Sequence, residues 1–305
     1  MQQVTDKPTI AVEHPERKKR TGPLFATGGE TAFGAPRDFL DNRFVYAVIS
    51  PRAMGLSVGV NMNPDKLCNF DCVYCEVHRS ALSREKRLDV GVMAAELHRT
   101  LEFVRAGRLR ERPWCRNLPA ELLELRHVTL SGDGEPTLCP NFAEAVEAVV
   151  HVRALGAFFK MVLITNATEL DRPQVQEGLR HFTRSDEVWA KLDGGTQAYL
   201  DQVSKVHVPL EKILANILAV GRQRPVVIQS LFPAIHGDEP PPGEIEAFAQ
   251  RLLELQRGGA QISLVQIYSA TRPAPRSEYG HLPLRSLSRI AQTVRQVTGL
   301  KAEVF

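Results

Sequence analysis

Seven apolar, β-branched runs, most of them separated by helix-length stretches, constrain this chain more than any other feature. They are FVYAVIS (44–50), LSVGVNM (56–62), HVTLSG (127–132), KMVLIT (160–165), EVWAKLD (187–193), PVVIQSLF (225–232) and ISLVQIY (262–268). Each is short and nearly continuous in apolar residues, as a strand buried on both faces must be. Between and after the later runs lie VMAAELHRTLEFV, NFAEAVEAVVHV, LEKILANILAVG, IEAFAQRLLELQ and LSRIAQTVRQV. Their apolar positions recur three and four apart, so each predicts a helix with one buried stripe. Continuous strands alternating with helices favour a parallel sheet, an α/β fold in which a barrel or partial barrel fits best. Asn141 after Pro140, with Glu144 three residues on, predicts a capped helix start, and Gly156 and Gly221 are placed to stop helices.

The first stretch of the chain has no such period. Residues 1–40 carry GGETAFGAP and the basic run ERKKR (16–20), and read as an irregular arm ahead of a core spanning 41–305 with a C-terminal helix. ERKKR has two readings, a disordered tail or an arm that contacts RNA. A net charge of +3 neither supports nor excludes a polynucleotide substrate. EPPPGE (239–244) reads as a linker before a helix. No membrane-spanning run and no secretory leader are evident, so the expected location is the cytoplasm, with no membrane partner.

Three of the five cysteines sit within eight positions, CNFDCVYC (68–75). An odd count with this crowding argues against a disulfide framework and for a metal in a reducing compartment. Three thiolates from one short loop can meet a single cluster or ion at small loop-closure cost, and soft sulfur selects zinc or iron-sulfur. Zinc in a structural site normally takes four protein ligands, and Cys68, Cys72, Cys75 and His78 would supply them. A 4Fe-4S cluster held by Cys68, Cys72 and Cys75 alone leaves one iron to bind a small molecule.

The spacing C-x3-C-x2-C, its place after a strand and the aromatic Tyr74 before the last cysteine resemble the signature loop of the radical S-adenosylmethionine (SAM) superfamily. The resemblance implies a partial (β/α)6-type barrel with the cluster loop after its first strand. It also implies a 4Fe-4S cluster whose free iron chelates SAM, and reductive cleavage of SAM to a 5'-deoxyadenosyl radical that abstracts hydrogen from a substrate. A reduced flavodoxin or ferredoxin is implied as electron donor.

Other positions fall into place behind that resemblance. LSGDGEPTL (130–138) matches the superfamily's glycine-rich motif that receives the SAM amino group, which nominates Gly132, Gly134 and Glu135, with Asp133 where a glycine is common. On its own a GDGE loop is equally a turn. Thr165 and Asn166 end a strand at the side where barrels gather ligands, and equally suit an Asn-stabilised turn. AKLDGG places Lys191 where the superfamily often has serine, facing the SAM carboxylate or the surface, and keeps Asp193. Gln229, Ser230, Gln266 and Tyr268 are polar residues in apolar strands, expected to point inward and to need partners among neighbours or substrate. His127, His151 and His181 suit structural or exposed roles, and Cys115 and Cys139 are too few for a second cluster.

The layout from YAVISPRAMGLSVGVNMNPDKLCNFDCVYCE through KLDGG to TRPAP is similar to the wyosine-type tRNA-modifying group, over roughly residues 45–275. Members with a second N-terminal cluster carry cysteines there, and residues 1–67 have none. Two functions follow. One is a radical SAM oxidoreductase or modifying enzyme acting on tRNA, a peptide or a small molecule; the other is a zinc-stabilised RNA-binding protein.

Overall fold

The computed structural model describes residues 39–77, 83, 85–270 and 278–305. ERKKR, GGETAFGAP, TRPAP and His78 lie outside the described residues, as does the expected arm apart from its last two positions. Those two are Phe39 and Leu40. Phe39 is fully buried with its ring 6.0 Å from that of Phe103.

The described residues form ten strands and eight α-helices. The strands are β1 (Val45–Ser50), β2 (Gly55–Asn61), β3 (Leu125–Ser131), β4 (Met161–Thr165), β5 (Glu187–Lys191), β6 (Val226–Leu231), β7 (Ala234–Ile235), β8 (Ile262–Tyr268), β9 (Tyr279–Gly280) and β10 (Ala302–Val304). The helices are α1 (Val90–Arg105), α2 (Ala120–Leu123), α3 (Phe142–Leu155), α4 (Pro173–Arg180), α5 (Gln197–Val203), α6 (Leu210–Gln223), α7 (Pro242–Arg257) and α8 (Leu284–Thr298). All seven apolar runs form strands and all five periodic stretches form helices.

One sheet runs in the order β1-β2-β3-β4-β5-β6-β8-β10, while β7 and β9 form a separate antiparallel pair. From β2 onward every neighbour is parallel. Parallel strands laid down in sequence order step the same way each time, and right-handed crossovers then put every helix on one side. The sheet therefore curls with its helices outside. Its edge strands, β1 and β10, are not paired with each other, so the barrel is partial. Its six expected strands are β2 to β6 and β8, and β10 adds a seventh.

β1 departs from the all-parallel expectation. It pairs antiparallel with β2 because only the turn Pro51–Ala53 and Met54, in the left-handed region at φ 53, separate the two. That is far too short for a parallel crossover.

Side-chain alternation divides the strands between two environments. Val58, Val60, Val128, Leu130, Met161 and Ile228 face the helices in the main core, against residues such as Leu97, Val149 and Phe248. Burying a side chain of this size contributes about 1.5–3 kcal/mol. On the concave face Val162, Trp189 and Val227 form a smaller cluster with Ile164 and Leu264. Apolar residues on both faces explain why the strands read as continuous runs. Toward the carboxyl ends the concave face turns polar.

Two helix signals act differently from expectation. Asn141 is the N-cap of α3, but its side chain donates to the Leu88 carbonyl at 3.3 Å instead of capping. Gly221 does not stop α6, which continues to Gln223; a Cβ there would lie 2.7 Å from the Ala260 side chain, so close packing is what requires glycine. Gly156 does close α3.

Candidate cluster and cofactor site

The cysteine loop leaves the carboxyl end of β2 and, between Leu67 and Val77, has no regular structure of its own. Its backbone must find partners elsewhere. The Leu67 carbonyl accepts from the Glu135 amide at 2.9 Å, and the Asp71 and Val73 amides donate to the carbonyls of Ser204 and Val203 at 3.2 and 2.9 Å. Asn69 donates to the Thr168 hydroxyl at 2.7 Å and accepts from Asn166 at 2.7 Å. Phe70 and Val73 are buried beneath it. The loops after β3 and β4 and the end of α5 thus hold the cysteines in place.

Cys68, Cys72 and Cys75 line one cavity of about 200 Å³ together with Tyr74, Gly132, Asp133, Gly134, Glu135, Thr165, Asn166 and Lys191. Phe70, Val77, Ser131 and Ile164 complete the wall. Asp193, Gln229, Ser230 and Tyr268 are not part of it. Among the described residues no three His, Cys, Asp or Glu side chains gather tightly enough to hold one metal ion. Three thiols on the wall of one cavity suit a multi-iron cluster, in which each thiolate takes its own iron. Burial pushes the Cys72 thiol up to about 12, with Lys191 pulling against it, so ligation there must expel a proton.

The glycines of the β3 loop answer to the protein's own backbone. Gly132 has φ 139, and a Cβ on it would fall 2.1 Å from the Asn61 Oδ1. A Cβ on Gly134 would fall 2.0 Å from the Leu67 carbonyl oxygen. Asn61, which sequence reasoning passed over, ties this loop to β2: its Nδ2 donates to Asp133 at 2.8 Å and its Oδ1 accepts the Asp133 amide at 3.0 Å. An Asn ending a strand was the only signal.

Glu135 is 3 % exposed. Its Oε1 accepts from the Thr137 amide (3.1 Å), the Thr137 hydroxyl (2.6 Å) and the Thr165 hydroxyl (2.5 Å), and its Oε2 from the Asn166 amide (2.7 Å). Burial raises its carboxyl above the usual range and these bonds pull it back. No ion pair reaches it among the described residues. A carboxylate offers about four lone-pair sites, two on each oxygen, so Oε2 retains room for one more donor. A buried carboxylate on a cavity wall, without a cation, is set to receive one.

At the end of β5, Lys191 and Asp193 form a second charged pair. Asp193 Oδ1 accepts from Lys191 Nζ at 3.3 Å and from the Leu231 amide at 2.9 Å, while Oδ2 accepts from the Tyr74 hydroxyl and, at 3.5 Å, from Ser204. Lys191 also donates to the Tyr268 hydroxyl at 3.3 Å and lies 5.1 Å from the centre of the Tyr74 ring. Burial works against its charge, but Asp193 outweighs it and the ammonium is held above its ordinary value. Lys191 is therefore a protonated wall residue and not a surface group.

The remaining candidates lie deeper. Gln229 donates to Gln266 at 2.9 Å, so the two satisfy each other on the concave face. Ser230 corrects the expectation of an inward-pointing hydroxyl. It alternates with Gln229, pairs with Ile267 and so shares the helix-facing side with Ile228, fully buried and with no hydrogen-bond partner for its Oγ. His127 is buried, His151 exposed and His181 intermediate, while Cys115 and Cys139 lie in the apolar core.

No protein-family model matches the chain. A UPF0026 protein of Synechocystis is 32 % identical over 181 residues, covering 57 % of each chain. The chain spans about half the length of the curated relatives it matches. Among solved structures, TYW1 with a lysine-pyruvate adduct bound superposes with a TM-score of 0.55 at 14 % identity, covering 85 % of this chain and 86 % of that one. SuiB of Streptococcus suis bound to S-adenosylmethionine gives 0.56 at 13 %, covering 80 % of this chain and 49 % of that one. Both are radical SAM enzymes. Together with the sequential parallel sheet and the cysteine loop at the mouth of β2, these similarities show that this chain shares the partial-barrel fold of those two enzymes.

Proposed function

We propose that this chain is a radical SAM enzyme that uses a single 4Fe-4S cluster, held by Cys68, Cys72 and Cys75. The observation that carries the reading is the wall of one cavity, on which three thiols, the cation-free carboxylate of Glu135 and the ammonium of Lys191 meet. SAM presents an ammonium and a carboxylate, and the wall offers a group of opposite charge to each. When bound and reduced, the cluster supplies the electron that splits SAM into methionine and a 5'-deoxyadenosyl radical.

The residues of this chain bind and orient. Glu135 receives the SAM ammonium at its open Oε2 position, and Lys191, pinned by Asp193 and Tyr268, faces the SAM carboxylate. Asn166 joins the β4 end to the cysteine loop, which keeps cluster and cofactor in register. The polar upper concave face, with Gln229, Gln266 and Tyr268, is where a substrate is held. Similarity in layout to the wyosine-type enzymes favours an RNA base as the molecule that loses hydrogen, and a reduced flavodoxin or ferredoxin as the donor.

Anaerobic reconstitution with iron and sulfide, followed by dithionite and SAM, should release 5'-deoxyadenosine and methionine in equal amounts. Reconstituted protein that leaves SAM intact removes the proposal.

A further inference from the structure

Among the described residues, the lysines on the concave face are paired with carboxylates, and one arginine beside them is not. Lys160 meets Glu187 at 2.8 Å and Lys191 meets Asp193 at 3.3 Å. Arg52, on the turn between β1 and β2, meets neither carboxylate nor carbonyl among the described residues. Its guanidinium carbon lies 4.3 Å from the centre of the Tyr268 ring, and its Nε is buried without a hydrogen-bond partner. Tyr268 alternates with Ile267, which faces the helices, so the ring that Arg52 covers belongs to the concave side. His127, edge-on to Trp189 at 5.3 Å on that same side, is kept neutral by burial and then by the charges of Lys160 and Arg52. The Arg52 charge thus acts inside the barrel, and its stack bridges β1 and β8, which the open sheet leaves unbonded.

A guanidinium with one face on an aromatic ring keeps its edge of planar N–H donors available for a bidentate oxyanion. The ring also fixes the fork, so little side-chain freedom is lost on binding. We infer that Arg52 and Tyr268 form an oxyanion subsite inside the barrel, and that the molecule entering there presents a carboxylate or a phosphate to Arg52. This rests on the proposed function only in taking the barrel interior as the substrate's place. In the proposed function Lys191 is taken by the SAM carboxylate, which leaves Arg52 for a different oxyanion.

The test titrates reconstituted protein with sodium acetate and, separately, with inorganic phosphate by isothermal calorimetry, ionic strength being matched with sodium chloride. Wild type should bind one of the two saturably with one site per chain. Arg52→Gln should weaken that binding at least tenfold, and Arg52→Lys, which keeps charge but loses the planar fork, should fall between. Phosphate as the bound ion points to a nucleotide or other phosphorylated substrate, acetate to a carboxylic acid. Melting temperatures check that both variants fold, and Arg52→Lys retains the contrast if Arg52→Gln does not. If wild type binds neither ion, or binds as tightly after Arg52→Gln, the subsite is refuted. Wild type that cleaves SAM yet binds neither ion refutes the subsite alone; wild type that binds through Arg52 yet leaves SAM intact refutes the proposed function alone.

Discussion

Removing the Glu135 carboxylate should damage the fold before it touches the cofactor. Glu135→Ala leaves the amides of Thr137 and Asn166 without acceptors at a site that is 3 % exposed. Each orphaned buried N–H costs about 1–3 kcal/mol, while the two threonine hydroxyls can rotate toward other acceptors. The structure therefore predicts a loss of about 2–6 kcal/mol, reduced by any water that fills the space. Glu135→Gln keeps one acceptor oxygen and should lose less. Urea unfolding of the two variants, read as a midpoint shift at constant slope, measures the difference. Among variants that fold, iron content should survive while SAM binding weakens. A change below about 0.5 kcal/mol in Glu135→Ala would show that these hydrogen bonds do not brace the end of β4. Because burial raises this carboxyl, SAM affinity should also fall as pH drops toward its raised value, since the protonated form cannot pair with an ammonium.

Further outcomes are equally specific. Gly134→Ala forces a Cβ to 2.0 Å from the Leu67 carbonyl, so the loop must move, at a cost of about 1–3 kcal/mol, and iron uptake after reconstitution should drop with it. Lys191→Met strands Asp193 as a buried carboxylate, with an expected loss of about 3–5 kcal/mol in denaturant and weaker SAM binding by calorimetry. For His127, burial lowers the imidazole from its usual 6.5 to about 3, so the unfolded chain takes the proton first. Stability should fall as pH decreases from 6.5 toward 3, by about 2 kcal/mol at pH 5, and His127→Phe should flatten that slope.

Local pattern and long-range contact were unequally legible. The strands and the longer helices were readable because their burial repeats along the chain, as in KMVLIT and LEKILANILAVG. β10 has three residues and α5 seven, too few for a period to declare itself. The cysteine loop was legible from spacing, whereas its anchoring by Asn69, Asn166 and Ser204 joins residues distant in sequence. Ser230 was misjudged because polarity alone does not give the parity of a strand. Arg52 gave no signal, since a turn residue can reach the ring of a strand more than two hundred positions away only after the sheet has curled. Glu135 was found by resemblance, but its bonds to Thr165 and Asn166 could be seen only in the folded chain.

Mössbauer spectroscopy of iron-57 reconstituted protein, recorded with and without SAM, tests the central claim most directly. Three thiolates on a four-iron cluster predict that a single iron of the four changes its isomer shift and quadrupole splitting when SAM is added. Four irons unmoved by SAM, or a site filled with zinc and no iron, would contradict it.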